Sequence, residues 1–255
     1  ASIYALRMAG LFLILPVFAL FALDLEGQTP LLIGIAIGTY GLTQAILQIP
    51  FGMLSDHLGR KPVIAAGLLI FAVGSLIAAN ADSIWMVIVG RAVQGAGAIA
   101  AAVMAMVSDL TREEQRSKAM AAIGMTIGAS FVLSLILGPV LDGVIGVPGI
   151  FWMTGILAFL AIGVILFAVP TPVHIERDRS RNLREEFARI LRDTQLLRLD
   201  AGIFVLHLVM TAMIVVLPGV IVKHLGLQAH AHWERYLPVM LAGPTPPDPV
   251  ELLMG

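Results

Sequence analysis

Seven long apolar runs dominate the sequence and limit what the chain can fold into. A helix needs about 20 apolar residues to cross the hydrocarbon core of a membrane. Of the 255 residues, 58% are hydrophobic and only 13% are charged, which is too few charges to cover a soluble fold. We therefore predict an all-α integral membrane protein with seven spans, numbered 1 to 7. They are expected at residues 2–23, 31–52, 62–80, 84–107, 118–141, 149–169 and 201–222.

Other protein classes are excluded by what the sequence lacks. A transmembrane β-barrel shows strands of about 10 residues with alternating polarity, and these apolar runs do not alternate. The absence of cysteine excludes disulfides, a cysteine-based zinc site and a cysteine nucleophile. A net charge of −1 gives no case for nucleic-acid binding, and neither an H-E-x-x-H metal motif nor a P-loop occurs. We expect no enzyme, no metal and no cofactor.

Lysine and arginine are concentrated in alternate connections. Twelve of the 16 lie between spans 2 and 3, between spans 4 and 5, or between spans 6 and 7. The connections after spans 1, 3 and 5 have none and instead carry Asp24, Glu26, Asp82 and Asp142. Since positive residues stay on the cytoplasmic side, the basic connections and the N-terminus are predicted to be cytoplasmic.

The chain divides into four expected parts. Residues 1–169 form a six-helix transmembrane bundle, and 170–200 form an amphipathic linker on the inner leaflet or, alternatively, a regulatory or partner-binding segment. Residues 201–242 hold span 7 and the beginning of an eighth helix. The Pro-rich tail 243–255 cannot continue that helix. Because the first residue is also Ala1 rather than Met, we expect a partial, truncated or frame-altered product.

The stretch Gly52-Met-Leu-Ser-Asp-His-Leu-Gly-Arg-Lys61 occupies the short connection between spans 2 and 3. Gly52 lets two helix ends approach closely, and Gly59 permits a tight turn. Asp56 can accept hydrogen bonds from the positive N-terminus of another helix. Arg60 and Lys61 alternatively serve only as signals for membrane topology.

This stretch resembles the signature that the major facilitator superfamily carries between its second and third spans, and His57 is the residue that departs from it. The resemblance implies twelve spans in two six-helix halves, of which this chain covers the first half, span 7 and a stub of span 8. It also implies a cytoplasmic latch, in which Asp56 binds the beginning of span 11 and Arg60 pairs with Asp109. The matching positions are Gly52, Leu54, Asp56, Gly59, Arg60 and Lys61.

Span 4 carries Arg91-Ala-Val-Gln-Gly-Ala-Gly-Ala98, which resembles a second signature of the same superfamily. Arg91 lies about two turns inside the membrane, where a guanidinium costs about 2.5–3.5 kcal/mol on insertion scales. We expect it to be the most deeply placed charge of the first six spans. The resemblance implies that Arg91 and Gln94 line a central cavity and act in proton coupling or substrate binding. The alternative is that Arg91 extends to the outer interface or ties helices together.

Span 5 ends with Ser134-Leu-Ile-Leu-Gly-Pro-Val-Leu-Asp-Gly143, which resembles the antiporter signature of the superfamily. Gly138, Pro139 and Gly143 match, whereas Ser134 and Asp142 replace glycines. In the superfamily this signature marks proton-driven export. The alternative is a simple proline kink, since Pro139 removes a backbone donor.

Four further polar residues lie within the apolar runs. Gln44 and Gln48 are one helical turn apart on span 2 and are expected to face a cavity. His207 on span 7 either titrates near neutral pH or is a buried, hydrogen-bonded histidine. Arg7, near the beginning of span 1, is expected to extend to the cytoplasmic interface.

The resemblance implies a secondary active transporter of the bacterial inner membrane that exports small amphipathic compounds by alternating access, driven by protons. Its partners are then a small-molecule substrate, protons and the lipid bilayer, and the missing C-terminal half is needed for transport. The alternative function is a truncated, non-transporting bundle that is inert or pairs with another chain.

Overall fold

A computed structural model of the chain describes residues 2–170 and 192–225. These residues are almost entirely helical, and their only β-type pairing is one isolated bridge between Glu26 and Ser83. Single turns of 3-10 or π-helix lie at Ala22–Asp24, Glu113–Gln115 and Val164–Ala168. The α-helices are α1 Ser2–Phe12, α2 Leu15–Phe21, α3 Pro30–Leu58, α4 Arg60–Ala79, α5 Ile84–Ala96, α6 Ala100–Leu110, α7 Arg116–Gly163 and α8 Thr194–Leu225.

Six apolar helical stretches in the described part of the chain are long enough to cross a membrane. One of them, Glu113–Ala168, has 56 residues, about 84 Å as a straight helix against a hydrocarbon core of about 30 Å. It reverses at Gly146, whose φ of +68° interrupts α7. Ile123 before this break and Ile165 after it belong to the same apolar cluster. Helix α7 therefore forms spans 5 and 6, and the described residues make the seven crossings predicted.

Span 1 consists of two helices, so the prediction of one continuous helix over 2–23 is wrong. Helix α1 ends at Phe12 and α2 begins at Leu15. Pro16 has no N–H group with which to bond the carbonyl of Phe12, and this interrupts the helical ladder. The helical hydrogen-bond pattern resumes with the bond from the Phe18 N–H to the Ile14 carbonyl at 2.9 Å.

Span 4 is also divided, which corrects the prediction of one helix over 84–107. Helix α5 ends at Ala96 and α6 begins at Ala100. Between them the N–H groups of Ala98 and Ile99 bond carbonyls only two residues earlier, at 2.8 and 2.9 Å. Two of the residues at the break are glycines, Gly95 and Gly97, and glycine is a weak helix former.

Several helices extend beyond the apolar runs that predicted them. Helix α3 continues to Leu58, six residues past the expected end of span 2, and α8 begins at Thr194, seven residues before the expected beginning of span 7. Helical structure also covers most of the connection expected at 142–148. The reason is that backbone groups near a membrane surface must still be paired, so the ladder continues through polar residues.

Glycines allow the inner helices to pack with their backbones in contact. A Cβ atom at Gly74 of α4 would lie closer than 3.0 Å to backbone atoms of Gly90 and Gln94 in α5. A Cβ at Gly95 of α5 would likewise overlap the Tyr40 carbonyl of α3. Small residues are the usual means of close helix contact in membranes, and here they bring spans 2, 3 and 4 together around one interior.

The outer surface is apolar, as lipid requires. Every span has large apolar side chains that are exposed in the structure. This exposed apolar surface is too extensive for a soluble monomer and suits a hydrocarbon environment. Representative exposed residues are Leu42, Ile46, Trp85, Leu160, Phe204 and Val205.

Connections of like charge meet at the same end of the bundle. The Glu26 N–H bonds the Asp82 carbonyl at 3.2 Å, which joins the connections after spans 1 and 3. At the other end, Arg60 meets Asp109. We call these ends the acidic face, defined by Asp24, Glu26 and Asp82, and the basic face, defined by Arg60, Lys61, Arg112 and Arg116.

Candidate functional site

A buried polar cluster lies between spans 2, 3, 4 and 6. Arg91 of α5 is only 2% exposed, and its Nη1 donates to Gln94 Oε1 at 3.0 Å. Gln94 Nε2 in turn donates to Ser75 Oγ of α4 at 2.7 Å. The Thr154 hydroxyl of span 6 lies 3.2 Å from the same Ser75 oxygen. In this structure Arg91 therefore lies inside the bundle and is held by a chain of neutral polar groups.

Tyr40 of α3 lies between two buried arginines. Its ring faces Arg91, whose guanidinium carbon is 4.7 Å from the ring centroid, a distance at which the aromatic face attracts a cation. Its hydroxyl accepts a hydrogen bond from Nη2 of Arg7 in α1 at 3.0 Å. One aromatic side chain thus contacts both guanidinium groups.

Arg7 does not extend to the cytoplasmic interface, so that expectation is wrong. It is 2% exposed, and its Nη2 donates to the Gly97 carbonyl at 3.2 Å. Gly97 lies halfway along span 4, between Ile84 and Leu110. Arg7 therefore lies inside the bundle, beside the middle of span 4. The side chain turns inward because this carbonyl at the break in span 4 and the Tyr40 hydroxyl are both available to it.

The two glutamines of span 2 differ in their contacts. Gln44 Oε1 accepts from Arg7 Nη2 at 3.1 Å, so this residue belongs to the buried cluster. Gln48 is half-buried one turn away, and its Oε1 has no hydrogen-bond partner among the described residues. Neither Arg7 nor Arg91 forms an ion pair in the described part of the chain, and the cluster therefore carries two positive charges held by neutral groups.

The signature between spans 2 and 3 is mostly helical. Helix α3 runs through Leu58, and α4 begins at Arg60. Gly59 alone makes the turn, with a φ of +93° that other residues rarely adopt. Gly52 faces span 4, where a Cβ atom would lie 3.4 Å from the Ala101 side chain. Gly59 therefore has the steric role that the sequence indicated, whereas a methyl group at Gly52 would make only an ordinary van der Waals contact.

Arg60 is the centre of a polar cluster at the basic face. Its Nε lies 3.0 Å from Asp109 Oδ2 at the end of α6, and its Nη2 lies 2.5 Å from Asp56 Oδ1 one turn earlier. Its Nη1 also donates to Ser55 Oγ at 2.5 Å. Arg60 is 8% exposed and Asp109 18% exposed, so the pair is largely shielded from water. The contact between Arg60 and Asp109 that the resemblance implied is present.

The signature of span 5 packs against the break in span 1. Gly138 is buried, and a Cβ there would lie 2.6 Å from the Leu13 carbonyl and 2.8 Å from Pro16 Cγ. Pro139 is also buried, whereas Gly143 is exposed near the acidic face. The proline-containing part of span 5 and the divided span 1 are therefore in direct contact.

Two of the predicted site residues lie apart from these clusters. His207 is exposed on α8, and its Nδ1 is 2.8 Å from the Ile203 carbonyl one turn earlier. Lys61 is half-buried beside Arg60. No group of three His, Asp or Glu side chains able to hold a metal ion occurs in the described ranges.

Sequence reasoning missed four residues of the clusters: Tyr40, Ser55, Ser75 and Thr154. Tyr40 could have been found, because it lies four residues before Gln44 and eight before Gln48 and so shares their helix face. Ser75 and Thr154 carry no such signal, since single hydroxyl residues are common in membrane helices and usually bond their own backbone. Their role depends on which spans become neighbours.

A helical bundle with polar side chains enclosed between its spans defines a multi-pass membrane protein of the kind to which secondary transporters belong. The family model described as Major Facilitator Superfamily matches residues 1–246. The chain belongs to this superfamily, whose members are transporters and not enzymes.

Individual relatives agree with this assignment. The chain is 48% identical over 241 residues to the inner membrane transport protein YajR of Escherichia coli, covering 94% of this chain and 53% of YajR. It is 26% identical over 230 residues to the multidrug resistance protein MdtH of Yersinia enterocolitica, covering 89% and 57%. The chain thus spans about half the length of these relatives.

A solved structure has the same fold. It is a bacterial homologue of the human lysosomal transporter Spinster in an inward-facing, unoccupied conformation, and it matches with a TM-score of 0.77. The match covers 92% of this chain and 56% of the other chain at 15% sequence identity. At this identity the likeness concerns the fold alone.

Proposed function

We propose that this chain provides the first six spans and span 7 of a proton-driven exporter of small amphipathic compounds that works by alternating access. The observation that carries the proposal is the buried cluster around Arg91. A charge inside a membrane span is costly, and such residues usually serve transport or coupling. The name of MdtH, a multidrug resistance protein, supports export as the direction of transport.

The contacts of Arg91 fit a role in coupling. Its partners Gln94, Ser75 and Thr154 belong to spans 4, 3 and 6, so a change at Arg91 can reach three elements through hydrogen bonds. All of these partners are neutral. No carboxylate in the described part of the chain compensates the charge of Arg91, and we propose that a rearrangement of the bundle exposes this charge to a substrate or to the second half.

The Arg60 cluster is proposed to act as the conformational latch. It joins the end of span 2, the beginning of span 3 and the end of span 4 through Asp56, Arg60 and Asp109. A rocking motion between two halves requires each half to keep its helix ends together at the surface that opens. We assign three further residues to the same latch. Gly59 makes the turn, Gly52 lies against Ala101 of span 4, and Lys61 follows Arg60.

Further proposals concern the remaining predicted parts. Gly138, Pro139 and Gly143 are proposed to form a flexible contact between spans 5 and 1 in proton-driven export. Gln44, Gln48 and His207 are proposed to face the substrate pathway.

The orientation with a cytoplasmic N-terminus is proposed from the charge asymmetry. The location in the inner membrane is proposed from the name of YajR. The division into residues 1–169, 170–200, 201–242 and 243–255 is also proposed, with 171–191 and 226–255 lying outside the described residues.

Dye export by a completed protein tests this function. The chain is completed with the part of YajR that follows the 241 aligned residues, and the chimaera is reconstituted into vesicles with an imposed proton gradient. The parent chimaera should export an amphipathic dye. Arg91→Ala should insert normally but lose most gradient-dependent export, while Arg91→Lys should keep part of it, because the charge remains and the planar fork is lost.

The control is Arg112→Gln, which removes an exposed arginine of the basic face and should leave export unchanged. Export that persists in Arg91→Ala would show that Arg91 has no role in coupling. A parent chimaera that inserts but exports no dye in either direction of the gradient would contradict the proposed function itself.

A further inference from the structure

The break in span 4 separates two functional regions. Helix α5 carries Arg91 and Gln94 of the buried cluster, and α6 carries Asp109 of the Arg60 cluster. Between the helices lie three non-helical residues, 97–99. Any relative motion between the two regions through span 4 must therefore pass through this short segment.

Arg7 contacts this segment directly. Its Nη2 donates to the Gly97 carbonyl at 3.2 Å, at the residue that follows the end of α5, and this carbonyl also accepts the Ile99 N–H at 2.9 Å. The C-terminus of a helix carries a partial negative charge, and a cation placed there is stabilising. A guanidinium from span 1 thus partly offsets the negative end of α5 at the break in span 4.

The same guanidinium nitrogen holds the aromatic partner of Arg91. Nη2 of Arg7 donates to the Tyr40 hydroxyl at 3.0 Å. The ring of the same tyrosine faces Arg91, whose guanidinium carbon lies 4.7 Å from the ring centroid. The Arg7 guanidinium also lies 5.8 Å from the Phe71 ring centroid in span 3. Arg7 therefore connects span 1 with spans 2, 3 and 4 at one level.

We propose that Arg7 is a positioning residue of the coupling site: it orients Tyr40 against Arg91 and holds α5 and α6 at a defined angle across the break. This role rests on the transport function proposed above, because only there does the geometry of Arg91 matter for activity. Arg7 acts through Tyr40 and Gly97. All three hydrogen bonds of Arg7 come from Nη2, so a lysine would keep the charge but lose the planar guanidinium that lies over the Phe71 ring.

Two further donors of Arg7 allow its contacts to rearrange. Its Nε and Nη1 are buried and have no hydrogen-bond partner among the described residues. Burying such donors unpaired costs free energy, and Arg7 keeps them because its other contacts hold the guanidinium in place. A rearrangement that offers these donors an acceptor therefore competes with the contact to Gly97.

Distances across the break test the structural part of the role. The chain has no cysteine, so spin labels can be attached at Val89→Cys on α5 and Met104→Cys on α6, both of which are exposed positions. The doubly labelled chain of 255 residues and the chimaera with YajR are measured in lipid nanodiscs by pulsed electron resonance. We expect one narrow distance in the parent, and a broadened or shifted distribution in Arg7→Gln.

The conservative variants separate positioning from folding. Arg7→Lys should broaden the distance distribution less than Arg7→Gln, because the charge at the end of α5 remains. Arg112→Gln is the matched control at an exposed position and should give the parent distance. If Arg7→Gln fails to insert, the distance distribution of Arg7→Lys alone tests the proposal. A parent-like distance in every inserted Arg7 variant would contradict the proposal that Arg7 holds α5 and α6 at a defined angle.

Export by the chimaera tests the action through Tyr40. Tyr40→Phe removes the hydroxyl that Arg7 bonds but keeps the ring facing Arg91, so the maximal export rate should fall. Arg7→Gln should lower it further, and the double variant should be no slower than Arg7→Gln alone. Independent, multiplicative losses would overturn the action through Tyr40. A parent chimaera without export would count against the proposed function, while the spin-label distances would still decide the role of Arg7.

Discussion

At the residue scale, three arginines hold the described spans together, and they do so in two ways. Arg7 and Arg91 are buried inside the bundle and bond neutral groups, whereas Arg60 at the basic face pairs with two carboxylates. The difference follows from solvation. A carboxylate inside the bundle would add its own burial cost, while near the surface Asp56 and Asp109 remain partly hydrated.

Charge reversal tests the energetic coupling between Arg60 and Asp109. Arg60→Asp or Asp109→Arg alone should lower the free energy of unfolding by about 1.5–3 kcal/mol, the usual value of a hydrogen bond to a charged group. The double reversal should recover part of the loss because opposite charges face each other again. Unfolding in mixed micelles measures all four proteins of this cycle.

The control cycle uses Arg116 and Glu113, which lie 3.7 Å apart and are exposed. Their coupling should not exceed about 1 kcal/mol, as is usual for surface pairs. Strictly additive losses in the Arg60 and Asp109 cycle, or a coupling no larger than that of the control, would argue against the contact.

The turn between spans 2 and 3 depends on one glycine. Gly59→Ala places a Cβ atom at a φ of +93°, which should destabilise the protein by about 1–3 kcal/mol because of backbone strain. Gly34→Ala is the control, since it lies in α3 with no atom near the added methyl group and should be neutral or stabilising. Thermal unfolding in micelles compares the two, and equal melting temperatures would contradict the strain.

At the scale of helices, close backbone contact and interrupted spans occur at the same places. Span 3 packs against span 4 through Gly74 and Gly90, and the break in span 4 packs against Gly67. The break in span 1 likewise packs against Gly138 of span 5. Where a helix is interrupted, its free carbonyls need nearby donors or tight packing, and small residues allow neighbouring spans to approach them.

A methyl group at the contact between α4 and α5 tests this packing. Gly74→Ala would direct its Cβ at backbone atoms of Gly90 and Gln94, which cannot move aside as a flexible side chain can. We expect a loss of about 1–3 kcal/mol, typical of overpacked interiors. Unfolding in micelles gives the free energy, and labelling at Val89→Cys reports whether α5 shifts.

The matched control is Gly128→Ala in α7, where no atom lies within reach of the added methyl group. It should be neutral or slightly stabilising because alanine is the better helix former. A Gly74→Ala protein as stable as the control would show that the two helices can separate without cost.

At the scale of the whole molecule, charge is segregated between the two ends. The acidic face collects the connections after spans 1 and 3, and the basic face collects those after spans 2 and 4. Since seven crossings join these faces, the side of each connection follows once one of them is known. The proposed orientation has the basic face in the cytoplasm.

Single cysteines test this orientation in a chain that has none. Asp82→Cys and Arg112→Cys are both exposed, the first at the acidic face and the second at the basic face. An impermeant thiol reagent applied to spheroplasts should label Asp82→Cys at once and Arg112→Cys only after permeabilisation. The reverse order of labelling would overturn the orientation.

Much of the fold could be predicted because a membrane imposes simple rules on composition. The number of crossings follows from apolar length, and the grouping of the connections at two ends of the bundle follows from the positions of charged residues. The pairing of Arg60 with Asp109 followed from a local signature. Helix ends were predicted less well, since hydropathy reports where lipid begins while the helical ladder of α3 or α8 continues beyond that point.

What the sequence by itself determined is an all-helical bundle of the superfamily with seven crossings and the contact between Arg60 and Asp109 at the basic face, because these features depend on local composition and short motifs. Only the tertiary structure decided the burial of Arg7, the place of Tyr40 between two guanidiniums and the division of span 4. Each depends on which spans are neighbours. A buried arginine bonds whatever acceptor the packing places beside it, here the Gly97 carbonyl at 3.2 Å, and no local pattern in the sequence specifies that acceptor.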